Sequence, residues 1–135
     1  MIKKIYLLLL PAFATVSAFS QIMPPAVIGS WSGKVIEHGR SDYYTVNLTL
    51  KQGDIGEVVG TVSYPDYNCG GELELVKAER DADEHVALVK ERLTFGVQEC
   101  VDDGNIVIAV VNGRLKFNWL KSGLDYKAEG YLDRQ

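Results

Sequence analysis

From residue 31 onward, apolar and polar side chains alternate with a period of two, and glycine, asparagine, aspartate or proline breaks the alternation at short intervals. That is the pattern of short β-strands with one buried face, joined by turns. It predicts eight strands, over residues 31–37, 43–51, 57–64, 71–77, 86–95, 105–111, 114–121 and 125–133. The second is the clearest: Tyr44, Val46, Leu48 and Leu50 share one face, and Tyr43, Thr45, Asn47 and Thr49 the other. The third ends at Pro65, because proline has no N–H to give a ladder. The charged stretch 79–84 reads as a solvated connection, with a single helical turn there left open. Asn112-Gly113 is the dipeptide that a type I′ hairpin requires. No helical period is sustained anywhere.

Eight short strands with short turns and no long crossover predict an all-β fold, an eight-stranded antiparallel up-and-down meander. Closing it into a small calycin-like barrel removes both sheet edges. Gly29-Ser30-Trp31 opens the first strand in a Gly-x-Trp manner that resembles lipocalin-like and avidin-like barrels. Arg134 ends the last strand. In a closed meander the first and last strands are antiparallel neighbours, so Trp31 and Arg134 meet at one end, guanidinium against indole. Both are expected to be structural. The inward positions include Tyr44, Tyr64, Phe117, Trp119 and Tyr126, with Gly33, Gly60 and Gly130 giving room or letting the sheet coil. In the fifth strand the inward set is Ala87, Val89, Glu91, Leu93 and Phe95, since the other register would bury Lys90 and Arg92.

The start of the chain bears on compartment. Lys3 and Lys4 precede an apolar run over 5–16, and Ala18-Phe19-Ser20 supplies small residues at alternate positions. This is the layout of a secretory leader over residues 1–20, cut after Ser20 or, as second choice, after Ala18. The apolar run is too short for a spanning helix, which needs about 20 residues. Residues 21–135 then form one domain, periplasmic or secreted, with no membrane insertion after cleavage. Loss of Lys3 and Lys4 takes the formal charge from −4 to −6. A net acidic chain without a basic stripe excludes nucleic acid as the expected partner and favours a basic protein or a polycationic surface, while a small molecule is expected on the separate ground of the barrel interior. In an oxidising compartment, Cys69 and Cys100 are expected to pair. Both fall in odd-numbered turns, which a meander puts at one end. Zinc is the rival reading, but two cysteines without nearby histidines fall short of four ligands.

Candidate chemistry is sparse. His38 and His85 have no partners at fixed spacing, and Asp102-Asp103-Gly104-Asn105 lacks calcium-loop spacing. No catalytic residue, metal or cofactor is expected. Glu91 inside a barrel needs a partner or a raised pKa. It is therefore either a structural ion-pair member or, with Tyr44, Tyr64, Trp119 and Tyr126, part of a ligand-reading set. Asp66, Tyr67, Asn68, Glu99, Asp102 and Asp103, around the cysteines, form either a solvated rim or a partner-binding surface. The leading expectation is an exported, non-enzymatic binding domain. An inhibitor or immunity protein acting on a secreted hydrolase or toxin is the alternative, with a carboxylate enzyme or an envelope structural protein as outside readings.

Further segments carry a resemblance. They are 56–65 (GEVVGTVSYP) with Cys69-Gly70-Gly71-Glu72-Leu73, and Glu91-Arg92-Leu93-Thr94 leading to Cys100-Val101-Asp102 and Gly104-Asn105-Ile106. Leu115-Lys116-Phe117-Asn118-Trp119 and Ala128-Glu129-Gly130-Tyr131-Leu132 complete them. Together they resemble a bacterial extracytoplasmic domain found in small secreted proteins and as the outer C-terminal module of some actinobacterial serine/threonine protein kinases. The resemblance implies extracellular sensing or binding and carries no catalytic residues. No kinase domain or spanning helix accompanies it here, so no signalling output follows.

Overall fold

Each of the eight alternating runs is a strand in the computed structural model, which describes residues 19–20, 22–80, 85–123 and 127–135. A two-residue strand β1 (Phe19–Ser20) precedes them. They are β2 (Gly29–Glu37), β3 (Tyr43–Leu50), β4 (Val58–Tyr64), β5 (Cys69–Arg80), β6 (His85–Phe95), β7 (Asn105–Val111), β8 (Arg114–Leu120) and β9 (Lys127–Arg134). Every pairing between neighbours is antiparallel, and β5 pairs with β6 while β2 pairs with β9, so the meander closes. The expected all-β barrel is the one observed. Asn112 and Gly113 take φ of 53° and 80°, as a type I′ turn demands. The leader expected over residues 1–20 lies outside the described residues except for Phe19 and Ser20, which pair with Glu79 and Ala78 of β5.

Two bulges move the strand boundaries away from the sequence reading. β5 runs to Arg80, through what read as a charged connection. Val76 is its extra residue, because Leu75 faces Val89 and Lys77 faces Leu88. The bulge breaks the alternation at Lys77 and then restores it, with Ala78 buried opposite buried Ala87. In β6 the extra residue is Thr94, since Gly70 faces Phe95 and Gly71 faces Leu93. Phe95 therefore turns outward and is 48% exposed, correcting its expected inward position. Cys69 is also not a turn residue but the first residue of β5.

Closure runs from Trp31 opposite Arg134 to Glu37 opposite Ala128. A Cβ on Gly33 would lie 2.5 Å from the Tyr131 carbonyl oxygen, and one on Gly130 would lie 2.3 Å from that of Lys34. Only glycine permits so close an approach of β2 and β9, and the approach lets the sheet coil. Side chains of Val35, Val46, Leu73, Ile108, Leu115, Phe117 and Leu132 fill the interior.

Residues 22–28 stop the end of the barrel where β2 begins. Ile22 bridges Asp54, Met23 N–H donates to the Gly53 carbonyl at 2.8 Å, and Pro25–Val27 form one 3-10 turn. Met23 and Val27 are fully buried with Trp31. The Trp31 indole N–H donates to the Val27 carbonyl at 2.9 Å. Arg134 secures the same segment, donating to the carbonyls of Ile28 (2.8 Å) and Ala26 (3.1 Å) with its guanidinium 4.2 Å from the Trp31 ring. The expected Trp31–Arg134 contact is thus present, and it has a task the pattern did not reveal.

Arg134→Ala removes two charge-assisted hydrogen bonds and the cation–π contact, and is expected to cost about 1.5–3 kcal/mol in urea unfolding. Arg134→Lys should recover less than half of that, because an ammonium cannot span both carbonyls as the planar fork does.

Candidate functional site

At the opposite end of the barrel, where the odd-numbered turns lie, the described residues form a pocket instead of a plug. Its floor is Glu91. Alternation along β6 turns this side chain inward, and it is 1% exposed. Its Oε1 accepts from the Trp119 indole N–H at 3.0 Å, and its Oε2 accepts from the Tyr64 hydroxyl. Tyr64 lies on β4 and Trp119 on β8, each two strands away from β6 in the ring. One carboxylate therefore ties both flanks of the barrel mouth across its interior.

Burial pushes the Glu91 pKa above the ordinary carboxylate value. The hydrogen bonds from Tyr64 and Trp119 pull it back, the nearby Asp102 charge adds to the rise, and the net direction is up. Burial, then the Glu91 charge, holds the Tyr64 hydroxyl well above its usual range. Gly104 supports the arrangement in two ways. Its carbonyl accepts the Glu91 backbone N–H at 2.8 Å, and its backbone lies so close against Trp119 that a Cβ would sit 2.3 Å from the indole.

Above this floor is a pocket of about 200 Å³, lined by Glu37, Arg40, Tyr44, Tyr64, Tyr67, Glu91, Glu99, Cys100, Val101 and Trp119. Tyr44 stands edge-on to Tyr64 and to Tyr67, with centroids 6.0 and 5.2 Å away. At the rim, Arg40 Nε lies 3.6 Å from Glu37 Oε2. One wall belongs to the loop between β6 and β7, held to the start of β5 by the Cys69–Cys100 disulfide, whose Cα atoms are 6.4 Å apart. The expected pairing is the one present, and among the described residues no cysteine is free.

Of the ligand-reading set, Tyr44, Tyr64, Glu91 and Trp119 come together here, while Tyr126 lies outside the described residues. The rim set divides. Tyr67 and Glu99 line the pocket. Asp66 Oδ2 accepts the Thr45 backbone N–H at 2.6 Å, and Asp102 Oδ1 accepts those of Leu93 (2.8 Å) and Asp103 (2.7 Å). Asp103 pairs with Lys90 at 3.1 Å, and Asn68 holds the left-handed turn conformation at φ 54°. These four brace the loops. Glu37 was not singled out from the sequence, although it continues the inward series Trp31, Gly33, Val35 and was legible by the same count. His38 lies on the surface, 3.0 Å from Glu129. Among the described residues, no group of three or more potential ligands is placed to hold a metal ion, and no helix is long and apolar enough to cross a membrane.

Because Glu91 keeps its proton to higher pH when folded than when unfolded, its contribution to stability is full below the unfolded pKa. It is lost as pH rises through the folded pKa. Glu91→Gln keeps the shape, its amide oxygen accepting from Trp119 and its amide nitrogen donating to the Tyr64 oxygen. Wild type is thus expected to gain stability relative to Glu91→Gln as pH falls from neutral toward the ordinary carboxylate range, read from urea unfolding at a series of pH values. A difference independent of pH would show the carboxyl to be unshifted. Set against known proteins, the chain matches no family model, no curated protein and no solved structure.

Proposed function

We propose that this chain is an extracytoplasmic, non-enzymatic binding domain that takes a small ligand into the pocket at the open end of the barrel. The observation that carries this reading is the floor of that pocket. The Glu91 carboxyl is buried there between Tyr64 and Trp119, at the end where the described residues leave a pocket, while residues 22–28 stop the other end. Burying a carboxylate in a barrel interior is costly, and an apolar residue would fill the same space at lower cost. A concave site with aromatic walls and a few convergent polar groups is the usual form of a small-molecule site. The disulfide supports an oxidising compartment, as do the leader-like start and the resemblance to bacterial extracytoplasmic modules. His38 contacts Glu129 on the outer surface and does not line the pocket.

One observation favours a second reading, docking to a partner protein as an inhibitor or immunity protein would. Phe95 and Val97, beside the disulfide loop, are 48% and 55% exposed, and Val101 is exposed as well. Apolar side chains at the rim of a rigid loop suit a protein interface.

The two tryptophans make the test internal. Trp119 lines the pocket, and Trp31 sits at the stopped end. In a fragment screen of the oxidised, 15N-labelled protein, binders should move the Trp119 indole N–H resonance and leave that of Trp31 in place. A screen of several hundred polar and aromatic fragments that moves neither, or both equally, would overturn the small-ligand reading.

A further inference from the structure

Resting on the pocket-binding reading, we propose that the ligand is a small organic ammonium ion, seated against Tyr44, Tyr67 and Trp119 with its charge toward Glu37 and Glu91. The lining sets the sign. Among the described lining residues, Glu37, Glu91 and Glu99 stand with one cation, Arg40, a formal balance of −2 when all are ionised. Within a partly enclosed, low-dielectric mouth such a balance repels anions far more than it would in water. A neutral apolar ligand fits no better, because it would desolvate the pocket carboxylates further without bringing an opposite charge.

The lining also selects the kind of cation. A hard metal ion asks for six or more oxygen ligands at short range. Among the described residues no cluster of carboxylates or histidines supplies even three. What the pocket offers is four aromatic rings, and the negative face of an aromatic ring attracts diffuse organic cations with an apolar shell. Arg40 occupies the cationic position at the rim with a long 3.6 Å contact to Glu37, and its own side chain is 56% exposed. An incoming ammonium group would take over that contact while Arg40 turns into solvent. The volume, about 200 Å³, falls below the roughly 300–1,000 Å³ of drug-sized sites, so the ligand has few heavy atoms.

Such an ammonium group comes from a free amine or from a lysine side chain of a peptide. The experiment uses three probes of one shape and different charge on the oxidised full domain: choline, 3,3-dimethyl-1-butanol and 3,3-dimethylbutanoate. The readout is the Trp119 indole resonance, with Trp31 as control. Choline is expected to bind saturably and at least tenfold more tightly than the neutral alcohol, and the anion to cause no shift. Glu99→Gln at the rim and Glu37→Gln should each weaken choline at least threefold without altering the alcohol; the exposed Glu99 carboxylate can be changed without risk to the fold. Butylammonium and the peptide Ala-Lys-Ala separate the sources. Equal affinity assigns a free amine, and a tenfold preference for the peptide assigns a presented lysine. If the alcohol or the anion binds as tightly as choline, the pocket is a ligand site but not one for cations, and the inference falls while the binding reading stands. If none of the probes moves Trp119, the inference also falls, and the fragment screen alone decides the binding reading.

Discussion

Pairing of the first long strand with the last is the constraint on which the rest of this structure hangs. An open meander of eight strands would leave the ladder groups of β2 and β9 exposed on two edges. Joining them satisfies those groups, but it forces the sheet to coil until the two backbones nearly touch at Gly33 and Gly130. Closure also settles what lies at each end. The chain enters β2 where it leaves β9, so the segment 22–28 and the terminal Arg134 necessarily share that end. There they form one assembly with Trp31. The arginine satisfies two carbonyls of a segment that has no ladder of its own, and the indole satisfies a third.

With one end stopped, the polarity of the interior becomes one-sided. An eight-stranded barrel is just wide enough for its own side chains. From Trp31 through Phe117 the interior is packed with apolar groups, and the larger polar aromatics collect at the open end around Glu91. Two effects compete there. Desolvation favours the protonated acid, and hydrogen bonds from a tyrosine and a tryptophan favour the carboxylate. Desolvation is the larger, so the charged form of Glu91 is disfavoured relative to a free carboxylate even with two donors in place. A further cation in the pocket would shift that balance toward the carboxylate, which links the folding cost of this residue to the proposed binding.

Much of this was legible in the alternation. The period of two located all eight strands, the Asn-Gly dipeptide set one hairpin, and the parity of the turns placed both cysteines at one end. The same count turned Glu91, Tyr44, Tyr64 and Trp119 inward. What escaped was whatever interrupts the period. The bulges at Val76 and Thr94 each add one residue, so a strict count ended β5 early and turned Phe95 the wrong way. Residues 22–28, with prolines at 24 and 25 and no alternation, gave no sign that they would bury Met23 and Val27. The contact of Arg40 with Glu37 depends on how the first turn folds back, which no local pattern encodes.

The loop carboxylates show why the location of charge matters more than its amount. Read along the chain, Asp66, Asp102 and Asp103 suggested an acidic face turned toward a basic partner. In the fold, Asp66 and Asp102 accept backbone N–H groups, and Asp103 pairs with Lys90. Their charge goes largely into shaping the wall that the disulfide anchors. That wall is held by a disulfide and backbone hydrogen bonds within the protein itself, an arrangement that lowers the entropy cost of any recognition there. Among the described residues, the acids that line the pocket are Glu37, Glu91 and Glu99, from two strands and the braced loop. Among the described residues the pocket therefore carries more carboxyl groups than cations, in a concave, aromatic-lined site where charges are screened less than on the open surface. The loop acids thus brace the wall, and the proposed selectivity for a cation rests on the acids that line the pocket.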